Sequence, residues 1–251
     1  MRRLYAVMVM VLVAAAGADA QDRPYLGKWS VNSAKSDLRG VTATYRDLGG
    51  GRVEVSGMGQ KETFVVGRDG KDYPWPGGLT ISWRDLGPNR IETTLKRDGK
   101  VLSVGESVLS ADGNTNTMVV KSATPNVPES TTVFARVSGG PGVFGTWRMA
   151  EIQGGLEIVP AGDAVVFRWI GYAEATCRFD GKDCPIKGDA PNGSTMSLRE
   201  TGQGRFEYQD KTNGKMNYTS VFTVSADGKT LTEEETQATG EKRRIVYDRT
   251  P

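Results

Sequence analysis

From about residue 27 onward the chain is written in short runs in which apolar and polar residues alternate. "LTISWR" puts Leu79, Ile81 and Trp83 on one face. "RIETTLK" sets Ile91 and Leu95 against Glu92, Thr94 and Lys96, and "RFEYQ" sets Phe206 and Tyr208 against Glu207. A period of two with β-branched and aromatic residues predicts strands rather than helices. Glycine-containing turns such as "LGGGR", "DLGPN", "KRDGK", "SADGN", "TNGK" and "SADGK" separate the runs. Turns recurring every 8–12 residues or so are the spacing of antiparallel strands in a sandwich or barrel. No segment carries a helical stripe, and only "SAKSDL", near residue 35, has the makings of a single turn.

The pattern is written twice. Gly27-Lys28-Trp29 returns as Gly145-Thr146-Trp147, and "RDGKDYPWPG" (68–77) returns as "FDGKDCPIKG" (179–188). "ISWR" (81–84) is answered by "MSLR" (196–199), "SADG" (110–113) by the same four letters at 225–228, and Phe134-x-Arg136 by Tyr247-x-Arg249. The order is kept while the spacing drifts, as loop-length changes between two copies would make it do. The repeats predict one copy over 21–137, a second over 143–251, and "SGGPG" (138–142) as a linker without strand signal. Each copy has room for about eight strands, and a single-layer meander buries its apolar face by closing into a barrel, which also removes its edges. The expected architecture is all-β: two consecutive eight-stranded antiparallel up-and-down barrels.

The cysteines mark a chemical difference between the copies, because Cys184 stands where the first copy has Tyr73. A tight turn at Asp180-Gly181 pairs position 177 with 184, which sets Cys177 opposite Cys184 at disulfide distance. The same register pairs Val66 with Tyr73 in the first copy. The spacing is no CxxC motif, so the pair reads as a structural staple contributing about 2–3 kcal/mol.

The first twenty residues, "MRRLYAVMVMVLVAAAGADA", have two arginines, an apolar run from Ala6 to Ala16, and Ala18-Asp19-Ala20. This is the layout of a secretory signal, and the run falls short of the roughly 20 residues that span a bilayer. The expectation is a mature chain from Gln21, periplasmic or secreted, with no membrane span, in a compartment where a disulfide persists. The chain has no histidine, which removes Ser-His-Asp, Cys-His and zinc-protease chemistry. Net charge is +2 with no basic block, so no nucleic-acid partner is implied. Asp69, Asp72, Asp180 and Asp183 flank glycines and read as turn chemistry. "TEEET" (232–236) reads as a solvated strand edge rather than a metal site. No catalytic motif, metal site or cofactor site is expected.

Gly-x-Trp at the head of each copy, with an arginine in each last strand, resembles the signature of the lipocalin-like (calycin) superfamily. The resemblance implies that each tryptophan closes a barrel by packing on an arginine of the final strand, Trp29 on Arg136 and Trp147 on Arg249, guanidinium over indole. The "GTW", "DGKDYP" and "SADGKT" elements are also similar to those of exported bacterial proteins built from modules of this length. The first copy departs from the signature with Lys28, and no lipocalin-type helix follows the last strand. What the resemblance implies is an exported protein that binds a small apolar molecule. Trp83, Trp169 and Tyr208 would line a cavity, and Arg136 and Arg249 would hold a ligand carboxylate. Two rivals are an isomerase or cyclase of paired lipocalin-like domains, acting through Tyr, Asp, Glu or Arg, and an interaction module without a ligand. A cavity with a buried carboxylate points to the enzyme, an all-apolar cavity to the carrier, and a solid barrel to the module.

Overall fold

The computed structural model describes residues 23–39, 42–57, 60–125 and 127–251; the signal segment read at residues 1–20 lies outside them. In chain order the first ten strands are β1 (Gly27–Val31), β2 (Thr42–Gly49), β3 (Arg52–Gly57), β4 (Gln60–Gly67), β5 (Asp69–Trp75), β6 (Leu79–Gly87), β7 (Arg90–Arg97), β8 (Lys100–Leu109), β9 (Thr115–Ser122) and β10 (Ser130–Ser138). The remainder are β11 (Gly145–Ile152), β12 (Gly155–Ala161), β13 (Ala164–Trp169), β14 (Ala173–Cys177), β15 (Cys184–Pro185), β16 (Lys187–Gly188), β17 (Ser194–Gly202), β18 (Arg205–Thr212), β19 (Lys215–Val224), β20 (Thr230–Gln237) and β21 (Lys242–Thr250). The "SAKSDL" stretch makes one 3-10 turn, Ser33–Lys35, capped by the Asn32 side chain.

The strands form two antiparallel sheets. One has ten strands in the order β4-β3-β2-β11-β10-β9-β8-β7-β6-β5; the other has eleven, β15-β17-β18-β19-β20-β21-β1-β12-β13-β14-β16. The ends of each sheet curl together, β4 against β5 and β6 in the first and β14 against β15 and β17 in the second. The chain is thus all-β, with two nearly closed barrels. The sheets hold ten and eleven strands rather than eight. The glycine turn at 49–51 makes the β2–β3 hairpin, the chain breaks at Arg68 into β4 and β5, which stand at opposite ends of the sheet, and β15 and β16 are two-residue pieces.

The sheets do not divide where the sequence repeats divide. Strand β1 pairs with β21, Trp29 opposite Arg249, and with β12, Trp29 opposite Leu156. Strand β11 pairs with β10, Trp147 opposite Arg136, and with β2, Trp147 opposite Ala43. The opening strand of each copy therefore closes the barrel built from the other. The first barrel is the continuous segment 42–152, inserted between β1 and β12 of the second. The cause lies in the stretch read as a linker. Gly139 and Gly145 take φ of 120° and 128° and pack so closely that a Cβ on either would overlap the other's backbone. The chain turns back there and β11 folds onto β10 as a hairpin.

This changes the tryptophan partners that the resemblance implied. Arg249 lies over Trp29, 4.0 Å from its ring centre, and Arg136 over Trp147 at 4.1 Å. The contact is of the expected kind, but each arginine serves the tryptophan of the other copy. Both tryptophans are fully buried, and their indole N–H groups donate to Tyr25 O at 2.9 Å and Val143 O at 2.7 Å. Arg136 donates to the carbonyls of Gly113, Gly140, Gly142 and Phe144, and Arg249 to those of Pro24, Leu26 and Gly228. Each guanidinium thus covers an indole and satisfies turn carbonyls at once.

Cys177 and Cys184 are joined in a disulfide, their Cα atoms 5.7 Å apart. The expected hairpin register is not formed. Cys177 pairs with Val165 and Cys184 with Met196, because Phe179 turns inward onto Tyr25 and Phe206, with ring centres 5.0 and 5.5 Å away. Beyond Cys177 the chain crosses the gap between the sheet ends, bridging β17 at Asp180–Arg199 and returning to β14 through Lys187. The disulfide staples the barrel's seam. At the same place in the first barrel β4 and β5 share no ladder either, and the Tyr73 hydroxyl lies against Gly67, where a Cβ would collide with it. The two barrels touch beside this seam: Arg97 donates to the carbonyls of Gly188 and Ala190, and Ser122 to Asp189 at 3.0 Å.

Candidate ligand-binding site in the second barrel

A pocket of about 740 Å³ opens at the mouth of the second barrel, where Pro76 and Gly77 of the first barrel form part of its rim. Trp169, Tyr172, Ile186 and Met216 supply apolar wall, and Asp210, Asn217, Tyr218 and Arg243 supply polar groups. Tyr172 is 50% and Met216 38% exposed. Large apolar side chains left open at a pocket's rim are a mark of ligand or partner contact.

Strand alternation builds the polar end. Phe206, Tyr208 and Asp210 share one face of β18, as do Tyr218, Ser220 and Phe222 on β19, Leu231, Glu233 and Glu235 on β20, and Arg243, Ile245 and Tyr247 on β21. The ladders put Asp210 opposite Tyr218, Ser220 opposite Glu235, and Glu235 opposite Arg243. The inner face thus runs from an aromatic plug, with Phe206 stacked on Phe222 at 4.7 Å, to a hydrogen-bonded cluster. Tyr208 Oη donates to Asp210 Oδ2 at 2.9 Å, Asn217 Nδ2 to Asp210 Oδ1 at 2.6 Å, and Tyr218 Oη to Tyr208 Oη at 3.3 Å. Arg243 Nη2 donates to Glu235 Oε2 at 2.5 Å, and Gln237 donates to the other oxygen. Glu233 accepts from Ser220 Oγ at 2.7 Å and Tyr247 Oη at 2.6 Å.

Burial dominates the electrostatics. It pushes the Glu233 carboxyl up to about 6, helped by the Glu235 charge and opposed by Arg243, Tyr247 and Ser220. Burial also raises Asp210, against the hydrogen bonds from Asn217 and Tyr208. Tyr208 and Tyr218 are held well above the usual phenol range by burial and by their acidic neighbours, so both stay hydroxyl donors.

Of the residues that the sequence singled out, Trp169 and Tyr208 come together here, edge to face at 5.9 Å. Trp83 lies in the first barrel against Tyr45 at 5.6 Å, with its indole N–H buried and unpartnered. Arg136 and Arg249 sit on turn carbonyls at the barrel closures. The reading of "TEEET" as a solvated edge is corrected: Glu233 and Glu235 are buried and only Glu234 of the three glutamates faces out. Asp210, Tyr218 and Arg243 were missed altogether. A signal was available, since Leu231 is the sole apolar residue of β20 and fixes the phase that turns Glu233 and Glu235 inward.

Among the described residues no group of three or more His, Cys, Asp or Glu is placed to hold a metal ion. Among them, too, no helix is long and apolar enough to cross a membrane. No family model matches the chain, and no curated protein matches it. Among solved structures the chain is similar to a prolyl endopeptidase, at 12% identity over 88% of this chain and 47% of that one, with a TM-score of 0.15. The chain spans less than half of that protein's length, and a superposition so poor carries no argument.

Proposed function

We propose that this is an exported protein that binds a small amphipathic molecule at the mouth of its second barrel. The observation that carries the reading is the pocket itself: an apolar, aromatic wall above a few convergent polar groups is the usual form of a small-molecule site. Trp169 supplies wall, and Tyr208 acts through Asp210, which it hydrogen-bonds. The reading assigns Arg136 and Arg249 to closure, because their donors are already engaged by carbonyls. Export rests on the amino-terminal pattern and suits a chain with a disulfide.

The test is titration with Nile red, a neutral apolar dye. Trp169→Ala should weaken dye binding at least fivefold, and Trp83→Ala should leave it unchanged. Equal losses in both variants, or no dye binding to the native protein, would sink the reading. One observation favours a second reading, acid–base catalysis: a half-buried carboxyl, Asp210, lines the pocket. Ligand recovered from the protein after incubation separates the two, since a binder returns it unchanged and an enzyme returns it altered.

A further inference from the structure

The polar cluster at the pocket is out of charge balance. Asp210, Glu233 and Glu235 bring three carboxyls to one inner face. Among the described residues Arg243 is the only cation hydrogen-bonded to any of them, and it serves Glu235 alone. Glu233 is satisfied by neutral hydroxyls and Asp210 by a hydroxyl and an amide. A net negative charge held off solvent is costly unless a positive charge meets it. Arg243 lines the same pocket, and its buried Nε has no acceptor. Lys215, exposed at the same pocket, makes no ion pair with Asp210, so among the described residues that carboxyl has no cation bonded to it.

The carboxyls do not converge as metal ligands do, and the wall above them is aromatic, with Trp169, Tyr172 and Tyr218 facing the pocket. Aromatic faces attract organic ammonium groups. We infer that the ligand is an amphipathic organic amine, its ammonium on Asp210, an adjoining oxygen toward the Arg243 guanidinium, and its apolar part against Trp169, Tyr172 and Met216. The inference rests on the binding reading above and narrows it to one ligand class.

Isothermal titration with three shape-matched probes tests it: phenylbutylamine, phenylbutanol and phenylbutyrate. The amine should bind the native protein at least tenfold more tightly than the alcohol, and the carboxylate should bind weakest. Asp210→Asn keeps an acceptor for Asn217 or Tyr208 and should bring the amine's affinity close to the alcohol's. If that variant does not fold, the ranking on native protein decides alone. An amine no better than the alcohol, or a preference that survives in Asp210→Asn, overturns the inference. If Nile red binds and the amine does not, the inference fails and the binding reading stands; if the dye fails as well, both fall.

Discussion

Along β7 of the first barrel the in-facing residues are Ile91, Thr93 and Leu95; along β18, its counterpart in the second, they are Phe206, Tyr208 and Asp210. The ladders run in the same register. Leu95 faces Ser103 as Asp210 faces Tyr218, and Ser130 faces Val120 as Arg243 faces Glu235. On β9 the residues matching Glu233 and Glu235 are Met118 and Val120. One scaffold, with the same Gly-x-Trp strand and the same arginine closure, thus carries two interiors. In the first the positions hold small or apolar groups; in the second they hold phenols, carboxyls and a guanidinium in three neighbouring hydrogen-bonded groups. Closure is constrained in both barrels alike, and the chemistry differs only where closure does not depend on it.

The largest effect should come from cutting the chain. Segment 42–152 contains every strand of the first barrel, so it should melt cooperatively by itself, whereas a fragment ending at Gly140 lacks β11 and leaves Arg136 without its tryptophan. Circular dichroism melts of the two fragments check this. A cooperative melt for 21–140 and none for 42–152 would mean that each repeat closes on itself. The second barrel needs β1 from the far end of the sequence, so segment 155–251 should fold only when Gly27–Val31 is supplied, for example fused beyond Thr250.

The next effect contrasts the interiors. Glu235→Val should cost about 3–5 kcal/mol, because it strands a buried guanidinium. Replacing Glu233, Glu235 and Arg243 together by the first barrel's Met, Val and Ser should cost far less, or stabilise by about 1–4 kcal/mol, as removal of a whole buried ion set often does. Denaturant unfolding of the single and triple variants measures the difference. A triple variant as unstable as the single one would show that the cluster holds the barrel together rather than furnishing a site.

Strands, turns and the duplication were legible because each is local: alternation with a period of two and glycine turns need only a few neighbouring residues. The exchange of opening strands was not. Trp29 and Trp147 carry the same signature, so nothing local tells which arginine each will meet; the choice is made by the hairpin at Gly139–Gly145. The cluster was half legible. Matching the copies sets Glu233 and Glu235 against Met118 and Val120, which are in-facing positions, but acidic residues read alone suggest water.

The seam gives a smaller contrast. Reducing Cys177–Cys184 should destabilise the second barrel by about 2–3 kcal/mol and leave the first unchanged. Cys177→Val with Cys184→Tyr installs the first barrel's seam residues and should recover part of that loss. Thermal melts of native, reduced and doubly replaced protein check both statements. A loss in the first transition would mean that the barrels unfold together.

The smallest effect is in pH. Glu233 faces Glu235 on its own strand, Ser220 and Tyr218 on β19, and Arg243 and Tyr247 on β21. Burial raises its carboxyl from an unfolded value near 4.5 to about 6. The folded second barrel therefore binds this proton more tightly than the unfolded chain does. Its contribution is fully present below pH 4.5 and is lost as pH rises through 6, a change of at most about 2 kcal/mol. Asp210, also raised by burial, acts in the same direction. Exposed carboxylates held low by their partners, Glu54 and Asp112 in the first barrel and Asp163 and Asp227 in the second, pull the opposite way. The measurement must therefore be a difference: the stability of native protein minus that of Glu233→Gln, followed from pH 4 to 7. That difference should fall with rising pH and flatten above the Glu233 midpoint, while Met118→Gln, at the matched position of the first barrel, should shift stability by the same amount at every pH. A flat difference for Glu233→Gln would place that carboxyl in water.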